Sequence, residues 1–288
     1  MIPGVFNYYR PASVKDAVAL LTQLGDDGRA LAGGHSLIPT MKLRLATPAN
    51  LVDLAGISEL KDVRADGNDI VIGAMTTQHD LIGSELLGGK IPILRETSLQ
   101  IADPQVRYLG TLGGNVANGD PANDMPALMM CLNATFHIAG KSGERRVAAR
   151  QFYQGIYVTA LGTGDVLTAV RIPVPPAGHG YAYEKLKRKI GDFATAAAAV
   201  VLTMKGGKAE TCSIGLTNVA PTPLWAEDAA KILVGSALDA ATVKKAVSAA
   251  EAITAPAEDA RGPALYRTKM AGVMLTRALT RAKSLARG

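Results

Sequence analysis

Cysteine is scarce: Cys131 and Cys212 are the only two in 288 residues, and they are far apart in sequence. The usual thiolate sets of an iron–sulfur cluster or a structural zinc site need closely spaced pairs, so this chain does not hold one alone. Such low usage fits a reducing compartment, although one Cys131–Cys212 disulfide stays open. Aromatic residues make up 5% of the chain, and the net charge of +6 is not gathered into a dense Lys/Arg block. That combination argues against nucleic acid and suits anionic ligands or an acidic partner protein. No window approaches the ~18 uncharged apolar residues of a membrane span. The start, Met1-Ile2-Pro3-Gly4, has no basic stretch before an apolar run, so no signal peptide is expected and the chain reads as soluble and cytoplasmic.

Two nucleotide signatures are missing as well. Gly162-Thr163-Gly164 precedes a strand and reaches Leu167 where a dinucleotide fingerprint needs glycine. Gly140-Lys141-Ser142 imitates the end of a phosphate-binding P-loop, but Thr135 stands where the first glycine belongs. Glycine itself is abundant, with 30 residues against an average usage of about 7%. With 48% hydrophobic residues, the chain has the length and the apolar content for two modest domains.

Periodicity supplies the elements. Ser13 caps a helix whose apolar positions Ala17, Val18, Leu20, Leu21 and Leu24 follow the helical period, with Gly25 ending it. A short strand at Arg29–Leu31, a helix at Leu37–Leu45 and a strand at Leu51–Leu54 complete a small α/β unit. A strand near Asp69–Gly73, a helix capped by Thr76 or Thr77 and running towards Leu86, and helices at Ile91–Ile101 and Met125–Leu132 follow. Thr135–Ile138 and Arg145–Val147 flank a hairpin turn, and Asp165–Ile172 is a strand. Pro173, Pro175, Pro176, Gly178 and Gly180 mark a domain boundary. Beyond it Tyr181–Lys187, Thr195–Met204 and Ala209–Thr217 predict three antiparallel strands, although Thr195–Ala199 reads equally as helix. Helices over Trp225–Val234, Ala241–Ile253 and Pro263–Ala286 follow, so the fold class is α+β.

Two glycine pairs carry the chemistry. In Ala32-Gly33-Gly34-His35-Ser36, adjacent glycines tolerate positive φ, so successive backbone N–H groups can converge on an anion. Ser36 adds a hydroxyl, and the following helix would point its positive end at the same place. Gly110-Thr111-Leu112-Gly113-Gly114-Asn115 repeats this pattern, with the Thr111 hydroxyl and the Asn115 amide as further partners. One such pair is commonly only a strand-to-helix turn. Two of them with small polar neighbours point to a ligand, which composition does not name.

The two loops in this order, with Tyr9-Arg10-Pro11-Ala12-Ser13, Gly73-Ala74 and the run from Pro104 through Gly119, resemble the FAD-binding subunits of the molybdenum hydroxylase (xanthine dehydrogenase) family. The likeness covers nearly the whole chain and is greatest to members that oxidise carbon monoxide with water to carbon dioxide and pass the electrons to a quinone. Related members act on N-heterocycles or aldehydes. The resemblance implies a two-part FAD domain of the vanillyl-alcohol-oxidase-like kind over 1–177, with subdomains about 1–55 and 56–177. It implies a smaller C-terminal domain over 178–288, a three-stranded antiparallel sheet with a helix bundle. Molybdopterin would sit on a large partner subunit and iron–sulfur clusters on a small one, in a dimer of heterotrimers. Substrate is then oxidised at molybdenum, and electrons reach FAD through the clusters. A cytoplasmic location is implied, with peripheral contact at the inner face of the cytoplasmic membrane left open.

By the same resemblance, Ala32, Gly33, Gly34, His35 and Ser36, and Thr111, Leu112, Gly113, Gly114 and Asn115, match the pyrophosphate and ribityl loops, with Ala102 a further FAD contact. Asp124 matches an acidic residue on the adenosine ribose, although Asn123 replaces the serine common before it. As sequence alone, Asp124 reads as well as a helix N-cap. Leu167 matches an apolar contact on the adenine side, against the plainer reading of a buried strand residue. Lys185, Lys187 and Phe193 fall in the segment near the flavin ring, where a cation would favour the negative charge of reduced flavin. The alternative is a charged exposed strand face shared by Lys185, Lys187 and Lys189, and a core role for Phe193. His35 is not expected to bond FAD covalently. Arg267, Lys269, Arg277, Arg281, Lys283 and Arg287 suit a helix C-terminus better than a membrane face, because interfacial aromatics are missing. A self-sufficient flavin oxidoreductase and a non-catalytic scaffold are the competing readings.

Overall fold

The computed structural model describes residues 2–287, so Met1 and Gly288, the outer ends of the two expected domains, lie outside the described residues. The fold is α+β and is built on three main sheets. The first is parallel, in the order Asn7–Tyr9, Asn50–Asp53, Gly28–Leu31. The helix Val14–Leu24 packs on it through Ala17, Val18 and Leu21. The Ser13 hydroxyl accepts the Asp16 N–H at 3.1 Å, and Gly25, at φ 57°, stops the helix. The next helix ends at Lys42, short of the expected Leu45. Leu43 and Leu45 are exposed, so no core contact holds another turn in place.

The second sheet is antiparallel, in the order Val63–Asp66, Asp69–Gly73, Val166–Pro173, Thr135–Gly140, Gly143–Ala148. Its inner face, including Ile70, Ile72, Phe136 and Val170, shares one core with Leu112, Val116, Met125 and Leu128 from the helices Leu112–Ala117 and Asp124–Cys131. The helix expected to run unbroken to Leu86 divides at Ser84 into Gln78–Gly83 and Glu85–Lys90. The Ser84 hydroxyl caps the second piece by accepting the Leu87 N–H, which rewards the break.

The third sheet pairs Gly180–Leu186, Ala196–Lys205 and Lys208–Thr217 antiparallel. The two-residue strand Leu224–Trp225 adds a fourth strand at the edge of the three expected ones, and the helix assigned from Trp225 begins at Glu227. The alanine run is strand, not helix, because both of its faces are covered. Ala197 and Ala199 join the core of the Asp124–Cys131 helix, while Ala196, Ala198 and Val200 join that of Glu227–Leu233, Ala240–Ala252 and Ala264–Leu285. This period of two, with tertiary burial on each side, overrides alanine's helical preference.

The basic residues of the last helix are mostly engaged within the chain. Arg267 is buried, Lys269 pairs with Glu251, Arg281 pairs with Glu96 and Glu184, and Lys283 donates to the Ala237 carbonyl. Among the described residues no helix is long and apolar enough to cross a membrane. Cys131 and Cys212 are both free thiols.

Candidate functional site

The strand Gly28–Leu31 runs directly into the first glycine pair, at the carboxyl edge of the parallel sheet where open α/β units bind ligands. Ala32, Gly33 and Gly34 are half-buried, and His35 and Ser36 are exposed. Gly34 has φ +75°. Among the described residues the backbone N–H groups of Gly33, Gly34, His35 and Ser36 have no hydrogen-bond acceptor. Four consecutive unpaired donors at a surface turn form a ready anion cradle. The helix behind it, Leu37–Lys42, has only six residues and no side-chain cap from Ser36. The loop's own N–H groups, more than a helix dipole, therefore supply the positive field.

The second pair does not repeat that nest. Leu112 donates to the Thr76 carbonyl at 2.9 Å, Gly113 to Ala74 at 2.8 Å and Asn115 to Thr111 at 3.1 Å. The Gly114 N–H goes to the Thr111 hydroxyl at 3.0 Å. All four donors are engaged, and the Leu112 side chain is wholly buried in the core. These glycines serve close approach. A Cβ on Gly113 would lie 2.5 Å from the Ala74 Cβ, and one on Gly33 would lie 2.1 Å from the Leu109 carbonyl oxygen. One on Gly114 would come within 3.4 Å of the Ala32 Cβ, so the two loops lie against each other. The Asn115 carboxamide oxygen accepts the Met125 N–H at 3.3 Å, and its backbone carbonyl accepts from the Asn123 amide at 2.8 Å.

Those bonds lead to Asp124, the first residue of the helix Asp124–Cys131, where Asn123 holds the cap position without a side-chain cap bond. The N-cap reading of Asp124 therefore does not apply. Its Oδ1 accepts from the Tyr183 hydroxyl at 2.5 Å and its Oδ2 pairs with the Lys185 ammonium at 2.8 Å. The side chains of Lys185 and Asp124 are only 1% and 5% exposed. Lys185 thus does not share an exposed face with Lys187 and Lys189. Burial pushes the Asp124 carboxyl above the usual carboxylate range, while Lys185 and the Tyr183 hydroxyl pull it back. Removing one partner of such a buried pair costs about 3–5 kcal/mol. Each Asp124 oxygen keeps a second lone-pair direction for a further donor.

The remaining candidates are spread around this centre. Ala102 is half-buried and holds φ +43°, a conformation that is costly for a residue with a Cβ. Gly191 abuts it, since a Cβ there would lie 3.3 Å from the Ala102 carbonyl oxygen. Lys187 is half-buried just past the end of the strand Gly180–Leu186. Phe193 is 44% exposed with the Arg261 guanidinium 5.9 Å from its ring centroid, so it is not a core residue. Leu167 is a core residue on the strand Val166–Pro173, at the register shift before Ala169.

Residues 4–175 match the family described as the FAD binding domain in molybdopterin dehydrogenase. The chain belongs to that family. Residues 181–282 match a second family, the CO dehydrogenase flavoprotein C-terminal domain. The chain is 70% identical over 287 residues to the carbon monoxide dehydrogenase medium chain of Afipia carboxidovorans, covering 100% of both. It is 34% identical to the glyceraldehyde dehydrogenase medium chain of Sulfolobus acidocaldarius, covering 96% of this chain and 98% of that one. A crystal structure of the Cu,Mo-CO dehydrogenase in its cyanide-inactivated form superposes with a TM-score of 0.99 at 70% identity, covering 99% of this chain and 100% of that chain. As a molybdopterin dehydrogenase FAD-binding chain, this protein is an FAD-binding oxidoreductase subunit that works with partner subunits.

For this family member, sequence reasoning missed Tyr183 and Asn123. Tyr183 lies two residues before Lys185 on one strand, and that spacing puts both on one face. Asn123 was noted only as a departure from serine, yet its amide ties the second loop to the Asp124 helix.

Proposed function

We propose that the chain is the FAD-carrying medium subunit of a carbon monoxide dehydrogenase, working with a large molybdopterin subunit and a small iron–sulfur subunit in a dimer of heterotrimers. The FAD domain spans 1–177 and the C-terminal domain 178–288. What carries this reading is the 70% identity over the whole chain to a carbon monoxide dehydrogenase medium chain, against 34% to a glyceraldehyde dehydrogenase medium chain.

The residues present fit FAD. The unpaired N–H groups of Gly33 to Ser36 suit a pyrophosphate, and the missing Cβ atoms at Gly33 and Gly114 let the second loop close beside them. We assign Ala32, Gly33, Gly34, His35 and Ser36 with Thr111, Leu112, Gly113, Gly114 and Asn115 to the pyrophosphate and ribityl chain. Leu112 acts there through its backbone, since its side chain is core. Asp124 takes a FAD hydroxyl through its remaining lone pairs, on the same side as Lys185, with which it pairs at 2.8 Å, rather than at the adenosine end. Leu167 backs the adenine side, and Ala102, Lys185, Lys187 and Phe193 lie near the ring system. When bound, FAD supplies the change between one-electron and two-electron transfer. The ammonium groups of Lys185 and Lys187 favour negative charge close to them. The reading places the enzyme in the cytoplasm. Because most basic groups of the last helix are paired within the chain, contact with the inner face of the cytoplasmic membrane would rest on other surfaces.

The test is anaerobic addition of carbon monoxide to the complex purified from its native cell. Bleaching of the flavin absorbance is expected. Bleaching by an aldehyde or N-heterocycle but not by carbon monoxide would move the chain to another branch of the family. Turnover of a small organic substrate by the isolated chain would make it a self-sufficient oxidoreductase instead.

A further inference from the structure

Between the strands Gly180–Leu186 and Ala196–Lys205, the turn 187–195 is anchored at its end by buried Ala194 and Thr195, but its stretch 188–193 has little apolar burial to fix it. Ile190 is 89% exposed, Phe193 is largely exposed, and Gly191 sits at φ +81°. A surface turn with so few buried contacts is normally mobile. Charge holds this one. Arg188 Nε pairs with Asp192 Oδ2 at 2.8 Å, and Asp192 Oδ1 faces Arg261 Nη2 at 3.7 Å. Arg261 Nη1 then meets Asp259 Oδ2 at 3.4 Å, which also meets Arg267 Nη1 at 3.3 Å.

The series alternates in sign over five side chains and closes on itself. Arg267 is buried in the helix Ala264–Leu285, and its Nε donates at 3.2 Å to the carbonyl of Thr195, the far end of the same turn. Arg188 also donates to the Ala260 carbonyl at 3.3 Å. The Asp192 side chain is only 8% exposed, so its attractions are screened less than those of ordinary surface pairs. Asp192 also accepts the N–H of Phe193 at 2.8 Å, and Arg261 lies over the Phe193 ring. The turn therefore reaches the Ala102 backbone on one side and the C-terminal helix on the other.

We propose that this charge series is a latch by which the C-terminal helix sets the turn carrying Phe193 beside Ala102, with Asp192 and Arg261 as positioning residues for the flavin site. The flavin part of this rests on the reading of FAD between the glycine loops. Neither residue touches the cradle at Gly33 to Ser36. Each acts by fixing where Gly191 and Phe193 lie. Asp192→Asn keeps the volume and the acceptor for the Phe193 N–H but removes the charge that holds both arginines.

The test uses the full chain in its native complex, with Asp192→Asn, Arg261→Met, the double variant and Arg261→Lys. Amide hydrogen exchange over 188–194 and 256–262 is read beside FAD retention and the flavin visible spectrum. Both single variants should speed exchange several-fold in both segments, and the double variant should do no more than either single. Arg261→Lys, which keeps the charge, should recover most of the protection. FAD retention should weaken roughly fivefold in the single variants, with a shifted flavin band. Unchanged exchange over 188–194 in Asp192→Asn would overturn the latch, as would additive effects of the two single variants. A wild-type complex without flavin but with this exchange pattern supports the latch and sinks the assignment of FAD, so the two failures are distinct.

Discussion

Gly33 and Leu109 lie so close that a Cβ on the glycine would fall 2.1 Å from the Leu109 carbonyl oxygen. That contact fixes the unpaired donors of the first loop against the segment leading into the second. Gly33→Ala must displace one backbone from the other. It should cost about 1–3 kcal/mol, as overpacking does. The variant complex should then fold with a lowered melting temperature and lose most of its flavin. Full FAD content in a folded Gly33→Ala protein would show that the loop contact does not shape the site.

The first loop was legible because its signal is local: two adjacent glycines, a hydroxyl and a strand before them. The second was legible as a site segment but not in its mechanism. Two of its four donors, those of Leu112 and Gly113, are consumed by the carbonyls of Thr76 and Ala74, which lie some forty residues earlier and arrive only through the fold, while Thr111 takes the other two. Two readings of Lys185 stay open in the sequence for a similar reason. Alternating lysines look like an exposed face until Asp124 comes from another element to pair with one of them. The strands Asn7–Tyr9 and Val63–Asp66 are short and mostly polar, with no apolar alternation to show them. The helix Pro104–Leu109 did leave a signal, an Asp103 cap followed by proline at the first helical position.

The buried pair of Asp124 and Lys185 joins the Asp124–Cys131 helix to the C-terminal sheet. Lys185→Met leaves the carboxylate buried without its cation and should destabilise the protein by about 3–5 kcal/mol. Adding Asp124→Asn should recover part of that loss, because an amide costs less to bury than an unpaired charge. Denaturant unfolding of the two variants beside the wild type checks this. A Lys185→Met protein as stable as the wild type would mean the pair is solvated.

Hydrogen bonding from Arg188 holds the Asp192 carboxyl below the usual carboxylate range. A depressed carboxylate contributes stability that is present above its unfolded pKa and lost as pH falls through the folded one. The order of the turn 188–194 should therefore be flat through neutral pH and fade only below about pH 4. Amide exchange at matched intrinsic rates measures it. Loss of protection between about pH 6 and 8 would point to some group other than this carboxylate.

Burial pushes the Cys131 thiol up to about 12, so almost none of it is thiolate at neutral pH. Alkylation of the native protein should leave Cys131 unmodified until the chain unfolds, and its labelling should track unfolding. Rapid modification in the folded complex would contradict the packing of the Asp124–Cys131 helix against the C-terminal sheet.

The central claim is that the two glycine loops hold a releasable FAD, and cofactor content of the native complex tests it most directly. Acid denaturation should release one FAD per copy of this chain and leave a chain with the mass of its sequence. A complex without flavin, or a flavin that stays bonded to the peptide containing His35, would contradict it.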